Sequence, residues 1–540
     1  MTRMRIRSAA LAATVTIIAG GFAGLTVNGA GAASGPKRGG SVTYAIEAET
    51  PGGYCLPGNA QLAAGGIEVA TAIYDTLVTI NSKSQYVPYL AQSVTPNATF
   101  DTWTIQLRPN IKFQDGEPLD AAAVKLNLDT YRGVNPKVSG PLSPFVWKPV
   151  DSVTVTGPLT VVVKTKAPWP AFPALLFGTG RTGIVAPAQL ASQQDCPTKM
   201  IGTGPFELVS WRQNESLIVK RNPNYWRPGL PYLDQITFVP VTESNSELNG
   251  LEAGQFDIIQ TSAAKSILAL RDRARSGSAN ELDTDRGAEV GYGLLNLKRA
   301  PFNDIVARQA VAYAGDPNQL NQIRNKGLET LASGPFGPGT PEFVPLKSSL
   351  LPKHNLQKAK ALVAQWSAAH GGQKLSYEYL TGTDPELLAL AELVKQQDAL
   401  AGIDVTIQQV DQATQINRAL SGDYQLQAFR NHPQGDPDTQ FVWWHSGSPV
   451  NFSGINDPVI DMDLDQGRVE TDPAKRIALY KQLNKQFATQ LYEFWTWYQR
   501  WGVGAQKNIS GLNGPPLPDA GGKPFALYAG IIPTVGLSKG

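Results

Sequence analysis

The sharpest alternation in the chain runs from Trp103 to Arg108, where Trp103, Ile105 and Leu107 are interleaved with Thr104, Gln106 and Arg108. A period of two places the apolar set on one face of a half-buried strand. Asp115-Gly116 then supplies turn residues, Pro118 suits a first helical turn, and Val124 and Leu128 share one face of a helix beginning near Ala121. Further strands are predicted at 41–46, 206–211, 216–221, 234–241, 375–380, 403–410 and 424–430. The runs 152–156 and 160–166 read as a hairpin around Gly157-Pro158-Leu159. Helical patterns cover 63–77, 243–253, 358–366 and 386–400, with Gly371-Gly372 stopping the third. In the second half strands and helices alternate, which predicts parallel strands joined by right-handed crossovers and an α/β fold.

The first 33 residues follow another pattern. Arg3, Arg5 and Arg7 precede an uncharged run over 9–27 and the small residues Ala30-Gly31-Ala32-Ala33, the layout of a secretory signal. The same run also reads as a retained anchor, at the short end of the ~20 apolar residues a spanning helix needs. The first cysteine is Cys55, so no lipid-attachment cysteine follows the run, and no Arg-Arg pair marks the twin-arginine route. The expected location is outside the cytoplasm: periplasmic, extracellular or at the cell surface.

At 540 residues, 42% apolar and 17% charged, the chain has material for two or three lobes with substantial cores. Removing the three leader arginines from the formal charge of +2 leaves −1, which argues against a nucleic-acid face. Cys55 and Cys196 either pair, closing a loop of ~140 residues worth ~4 kcal/mol, or stay as separate buried thiols. Enzyme signatures are sparse. There is no G-x-S-x-G, HExxH or Walker A pattern, and two cysteines with four scattered histidines do not assemble a common zinc site. The segment 461–465 imitates the start of a calcium loop, but Gln466 stands at the required glycine.

The pattern W-T-x-x-L-R-x-x-I-x-F-x-D-G-x-P-L-x-A-x-x-V at 103–124 resembles the signature of family 5 extracytoplasmic solute-binding proteins, the capture subunits of ABC importers for peptides, nickel complexes and related solutes. IYDTL at 73–77, MIGTGPF at 200–206, NPNYW at 222–226 and RQAVAYAGD at 308–316 resemble further segments of that family in order, with Asp316-Pro317 where Asp-Arg is usual. In MIGTGPF, Gly202 and Gly204 are expected to allow positive φ and close approach of another chain segment, while the absent Lys-Ser/Thr excludes a P-loop. The resemblance implies a periplasmic-binding-protein fold of type II, with two lobes, a hinge and an extra subdomain. Its division is expected as 34–77, 200–290 and 502–540 in the first lobe, 78–199 as an inserted subdomain clear of the solute, and 291–501 in the second lobe. It further implies closure on a solute, permease and ATPase partners, a monomer, no cofactor and no catalysis.

Candidate solute contacts follow from position in that pattern. The loop Pro51, Gly52, Gly53 and Tyr54 stands where relatives pass backbone under the ligand. The stretch FRNHPQGDPDTQFVWW at 429–444 follows a strand end and carries Arg430, Asn431, His432, Trp443 and Trp444. Peptide binders of the family hold the amino terminus with an Asp here; aligning on Asp436-Pro437 puts Pro433 at that position, which argues against an ordinary oligopeptide ligand unless Asp436 or Asp438 substitutes through a shifted loop. Arg430 reads either as a bidentate donor to an anionic solute group or as half of a structural ion pair. In EFWTWYQRW at 493–501 alternating rings present two aromatic faces, so Trp495 or Trp497 stacks on a flat or sugar-like solute or packs in the core. Competing readings are a secreted carbohydrate-active enzyme, motivated by 11 Trp, a member taking an oligosaccharide or metal chelate, and a sensor or adaptor.

Overall fold

In the computed structural model, the structure describes residues 35–540 apart from 51–52, 59–63, 136–137, 139–142, 193–198, 287–288 and 432–434. Three sheets carry the fold. The signature strand Thr102–Leu107 buries Trp103, Ile105 and Leu107 and leaves the residues between them more exposed, as the period of two requires. It lies in a four-stranded antiparallel sheet with Ala91–Pro96, Thr160–Thr165 and Val150–Gly157. After Asp115-Gly116, where Gly116 has φ +92°, Phe113 and Leu119 donate to Glu117 and Ile111. Pro118 therefore closes a small ladder with Lys112 instead of opening the helix. The helix is Ala121–Tyr131, and its start is set by Asp120, whose carboxylate accepts from the Ala123 amide at 2.8 Å.

The seven-stranded sheet has the order Ala279–Thr284, Trp501–Gln506, Ile258–Thr261, Ser41–Ile46, Gln235–Pro240, Ser216–Arg221, Phe206–Arg212. Ser41–Ile46 is parallel to both its neighbours. One hydrophobic core runs from this sheet into the four-stranded sheet, joining Tyr44, Phe238 and Val503 to Ile105, Val161 and Phe172. The two sheets form the first lobe.

Close packing explains the glycines of MIGTGPF. A Cβ at Gly202 would sit 2.2 Å from the Ile73 carbonyl oxygen, and one at Gly204 2.5 Å from the same carbonyl group. Neither glycine has positive φ, so close approach is the operative reason. The Gln114 amide ties the junction together, donating to the Ile73, Gly204 and Phe206 carbonyls and accepting from the Gly202 amide.

The second lobe is built on a six-stranded sheet ordered Thr330–Leu331, Glu493–Tyr498, Val290–Leu295, Leu426–Asn431, Ser376–Thr381, Asp404–Gln409. Ser376–Thr381 pairs in parallel with Asp404–Gln409 and with Leu426–Asn431, and the helix Pro385–Ala401 crosses between the first two. One face packs on the helices Ile305–Ala314, Leu356–Ala369 and Pro385–Ala401. The other packs on Pro458–Val469, which contains the segment that imitates a calcium loop, and on Pro473–Gln490. The sheet is mixed, its other three pairings being antiparallel, and covering both faces is what its parallel, apolar part demands.

The chain leaves the first lobe after Thr284 and returns to it between Tyr498 and Trp501. Arg500 pairs there with Asp283 at 2.6 Å and Asp285 at 3.2 Å. The buried Glu329 accepts from the Arg500 amide at 2.9 Å and from the Gln499 side chain at 3.1 Å.

Candidate functional site

Between the lobes lies a cleft of about 1080 Å³. It opens where strands of both large sheets end: Glu47 after Ser41–Ile46, Ser262 after Ile258–Thr261, Asp384 after Ser376–Thr381, and Arg430 and Asn431 closing Leu426–Asn431. This is the position at which α/β sheets bind ligands, because loops leaving the carboxyl ends diverge and leave a crevice. The lobes touch across it. Arg430 donates to Glu47 at 2.5 Å, the Ser244 amide to Asp384 at 3.4 Å, and the Trp169 indole to Asp438 at 2.7 Å.

Arg430 lies in the cleft wall, but its charge is already used. It pairs with Glu47 and, at 3.2 Å, with the buried Glu289, and its guanidinium carbon is 5.2 Å from the Trp501 ring centroid. Burial opposes the charge on Arg430, yet Glu47 and Glu289 outweigh it and raise the group above its ordinary value. Burial pushes Glu289 up to about 7, against the pull of Arg430. Of its two sequence readings, the structural ion pair is the one with partners in place.

The aromatic candidates divide. Trp443 lines the cleft, edge-on to Phe452, whereas Trp444 is 1% exposed and packs on Phe336 and Phe487 away from it. Strict alternation would put Trp495 and Trp497 on one face. They face opposite ways, because Trp495 pairs with Tyr292 and Trp497 with Gly291, leaving Thr496 as an unpaired bulge residue. Both rings reach the cleft, Trp495 from the core that holds Tyr292 and Phe487, and Trp497 beside Leu320 and Leu390.

In the loop ahead of the first helix, Pro51 and Gly52 lie outside the described residues. Gly53, with φ +67°, and Tyr54 are buried in the first lobe and do not line the cleft; Tyr54 donates to Glu49 at 2.8 Å and meets Trp211 edge-on. Asn431 lines the cleft and donates to Gln440 at 2.6 Å. His432 and Pro433 lie outside the described residues, as does Cys196, while Cys55 is disulfide-bonded.

Sequence reasoning missed several wall residues. The segment 78–199, expected to stand clear, contributes Tyr131, Trp147, Arg181 and Thr182, with the Tyr131 and Trp147 rings stacked at 5.8 Å. Burial pushes Arg181 down to about 10. In the second lobe Arg324 lies over Trp497 at 5.4 Å, donates to Asn325 and the Glu386 carbonyl, and has no carboxylate partner among the described ion pairs. Burial lowers it too, against the field of Glu329, Glu386 and Asp384. In the sequence Arg324 is an ordinary cation in the last turn of a helix, and Glu247 an ordinary acid in a first turn; nothing there marks either as facing a cavity.

Residues 85–453 match the family described as bacterial extracellular solute-binding proteins, family 5 Middle. The chain belongs to this family. Among relatives, the glutathione-binding protein GsiB of Salmonella paratyphi A (strain ATCC 9150 / SARB42) is 33% identical over 276 residues, which is 50% of this chain and 51% of that protein. The match thus spans about half the length of that relative. Two solved structures share the fold of this family 5 protein. AgaA from A.tumefacien R10, in complex with agropinic acid, superposes with a TM-score of 0.80 at 23% identity over 93% of this chain and 99% of that one. The oligopeptide-binding protein AppA from Bacillus subtilis, in complex with a nonapeptide, gives 0.81 at 19% identity over 94% and 100%. These relatives are binding proteins by name, and among the described residues of this family 5 chain no helix is long and apolar enough to cross a membrane.

Proposed function

We propose that this family 5 protein is the exported substrate-binding subunit of an ABC importer, which captures a peptide or a peptide-like or polar solute between its lobes and presents the closed form to a membrane permease served by its own ATPases. The observation that carries this reading is the cleft at the strand ends of both lobes, bridged by Arg430–Glu47 and walled by aromatic rings and buried charges. Contacts made from both sides strengthen only when the lobes meet, so solute affinity becomes a force for closure. No bond need be made or broken.

The boundaries that go with this reading are 34–77, 200–290 and 502–540 for the first lobe, with 78–199 inserted in it and 291–501 as the second. Residues 1–33 act as the export signal, and Cys55 pairs with Cys196. Native mass spectrometry of the purified protein, compared with its denatured mass, tests the role. A retained solute, or saturable binding of an added one without turnover, supports it. Hydrolysis of an added oligosaccharide would replace it with a secreted carbohydrate-active enzyme.

A further inference from the structure

The first-lobe wall of the cleft carries oxygen acceptors that the protein itself leaves unsatisfied. Glu247, on the helix Ser244–Glu252, lines the cleft with only 3% of its surface exposed. Its Oε1 is buried without a hydrogen-bond partner, and Glu247 enters no ion pair among the described residues. Glu47 Oε2 and Gln260 Oε1 belong to residues of the same wall and are likewise buried without partners. The Gln260 orientation is set by its amide nitrogen, which donates to the Gly530 carbonyl.

The charges acting on Glu247 are Glu47 and Asp384, both acidic, and they add to burial in holding its carboxyl well above the ordinary range. Asp384 comes from the second lobe, where it caps the helix Pro385–Ala401 and accepts from the Ser244 amide across the mouth. Acidic side chains from both lobes therefore line the same cleft. Burying a polar group without a partner is unfavourable, and burying an unpaired carboxylate more so. Three such oxygens on one wall are matched by a guest that brings donors and positive charge. A metal ion is a poor match, since no group of three or more His, Cys, Asp or Glu among the described residues could hold one. A guanidinium or ammonium group satisfies oxygen acceptors through several N–H bonds without a fixed coordination sphere.

We propose that Glu247, together with Glu47 and Asp384, forms a subsite for a cationic guanidinium or ammonium group of the captured solute, completed when the lobes close. A cation held between Glu247 and Asp384 gains from acidic groups on both lobes at once, so it favours the closed form. This rests on the solute-binding reading above and names the class of solute.

The test is a thermal-shift and calorimetric panel on the full exported chain. It sets agmatine, putrescine and arginine-containing dipeptides against counterparts without a cation (diacetylputrescine and N-acetylated citrulline dipeptides), neutral oligosaccharides and anionic N-acyl amino acids. The expected result is binding of a cationic member, weakened on the order of tenfold to a hundredfold in its cation-free counterpart and by Glu247→Gln, which keeps the shape of the side chain. Melting of the unliganded Glu247→Gln protein checks its folding, and Glu247→Leu provides a second variant. Binding of neutral or anionic members with Glu247→Gln unchanged overturns the cationic subsite and leaves the solute-binding role standing. Absence of binding by every class overturns the role, and the subsite with it.

Discussion

At the scale of single residues, the cleft is set by groups whose partners come from distant parts of the chain. Arg430 is the clearest case, since Glu47 is 383 positions away. Arg430→Met is expected to destabilise the protein by roughly 2–3 kcal/mol, below the ~3–5 kcal/mol for a fully buried pair, because Arg430 and Glu47 keep more than a quarter of their side-chain surface exposed. Chemical denaturation measures the loss. Most of it comes from removing the cation that offsets the buried Glu289, so adding Glu289→Gln should recover part of it, and a strictly additive double variant would contradict that account. Glu247→Leu is expected to act in the opposite direction, raising the melting temperature of the unliganded protein, because it removes a buried acceptor that nothing in the chain satisfies. A lower melting temperature would mean that Glu247 has a structural partner.

Elements respond to constraints at their ends and irregularities. The bulge at Thr496 decides which way Trp497 faces, and Asp120 decides where the signature helix begins. Asp120→Ala should cost about 1 kcal/mol, the usual price of a lost N-cap, without changing the cleft. The GTGPF junction is far less forgiving. Gly204→Ala forces a Cβ to within 2.5 Å of the Ile73 carbonyl, and since backbone cannot step aside like a flexible side chain, a loss of about 3 kcal/mol or more is expected. Thermal unfolding of the two variants side by side checks the ranking; Gly204→Ala melting at or above Asp120→Ala would refute it. The position is legible as a glycine requirement from the sequence, but Ile73 as its cause is not.

For the whole molecule, the buried carboxyls predict the dependence on pH. Burial pushes Glu68, Glu329 and Glu493 up to about 8 and Glu289 to about 7, from an ordinary value of 4.5. Between those limits the unfolded chain releases protons that the folded protein retains, so stability falls as pH rises through the window and levels off above it. Below 4.5 both states are protonated and these groups add no slope. Calorimetry from pH 5 to pH 8 should show a falling melting temperature, with a shallower fall in Glu493→Gln; a rise over that range would contradict the assignment. Carboxyls held low, such as Asp457 with its Gln486 and Tyr492 donors, lose their stabilising contribution only at more acid pH.

Local pattern established the α/β class, nearly every strand named from it and the family, because alternation, caps and turn residues are local and the signature motifs are contiguous. It also singled out Arg430, Trp443, Trp495 and Trp497 as cleft residues by their place after strand ends or in the closing aromatic strand. Long-range packing settled that Arg430 is already paired, that Trp444 belongs to the core, and that Glu247, Arg324 and Arg181 face the cavity. The reason is physical: a charged residue in a helix turn looks the same to local pattern whether it meets water or a closing second lobe, and burial, partner and field are all supplied by segments far away in the chain.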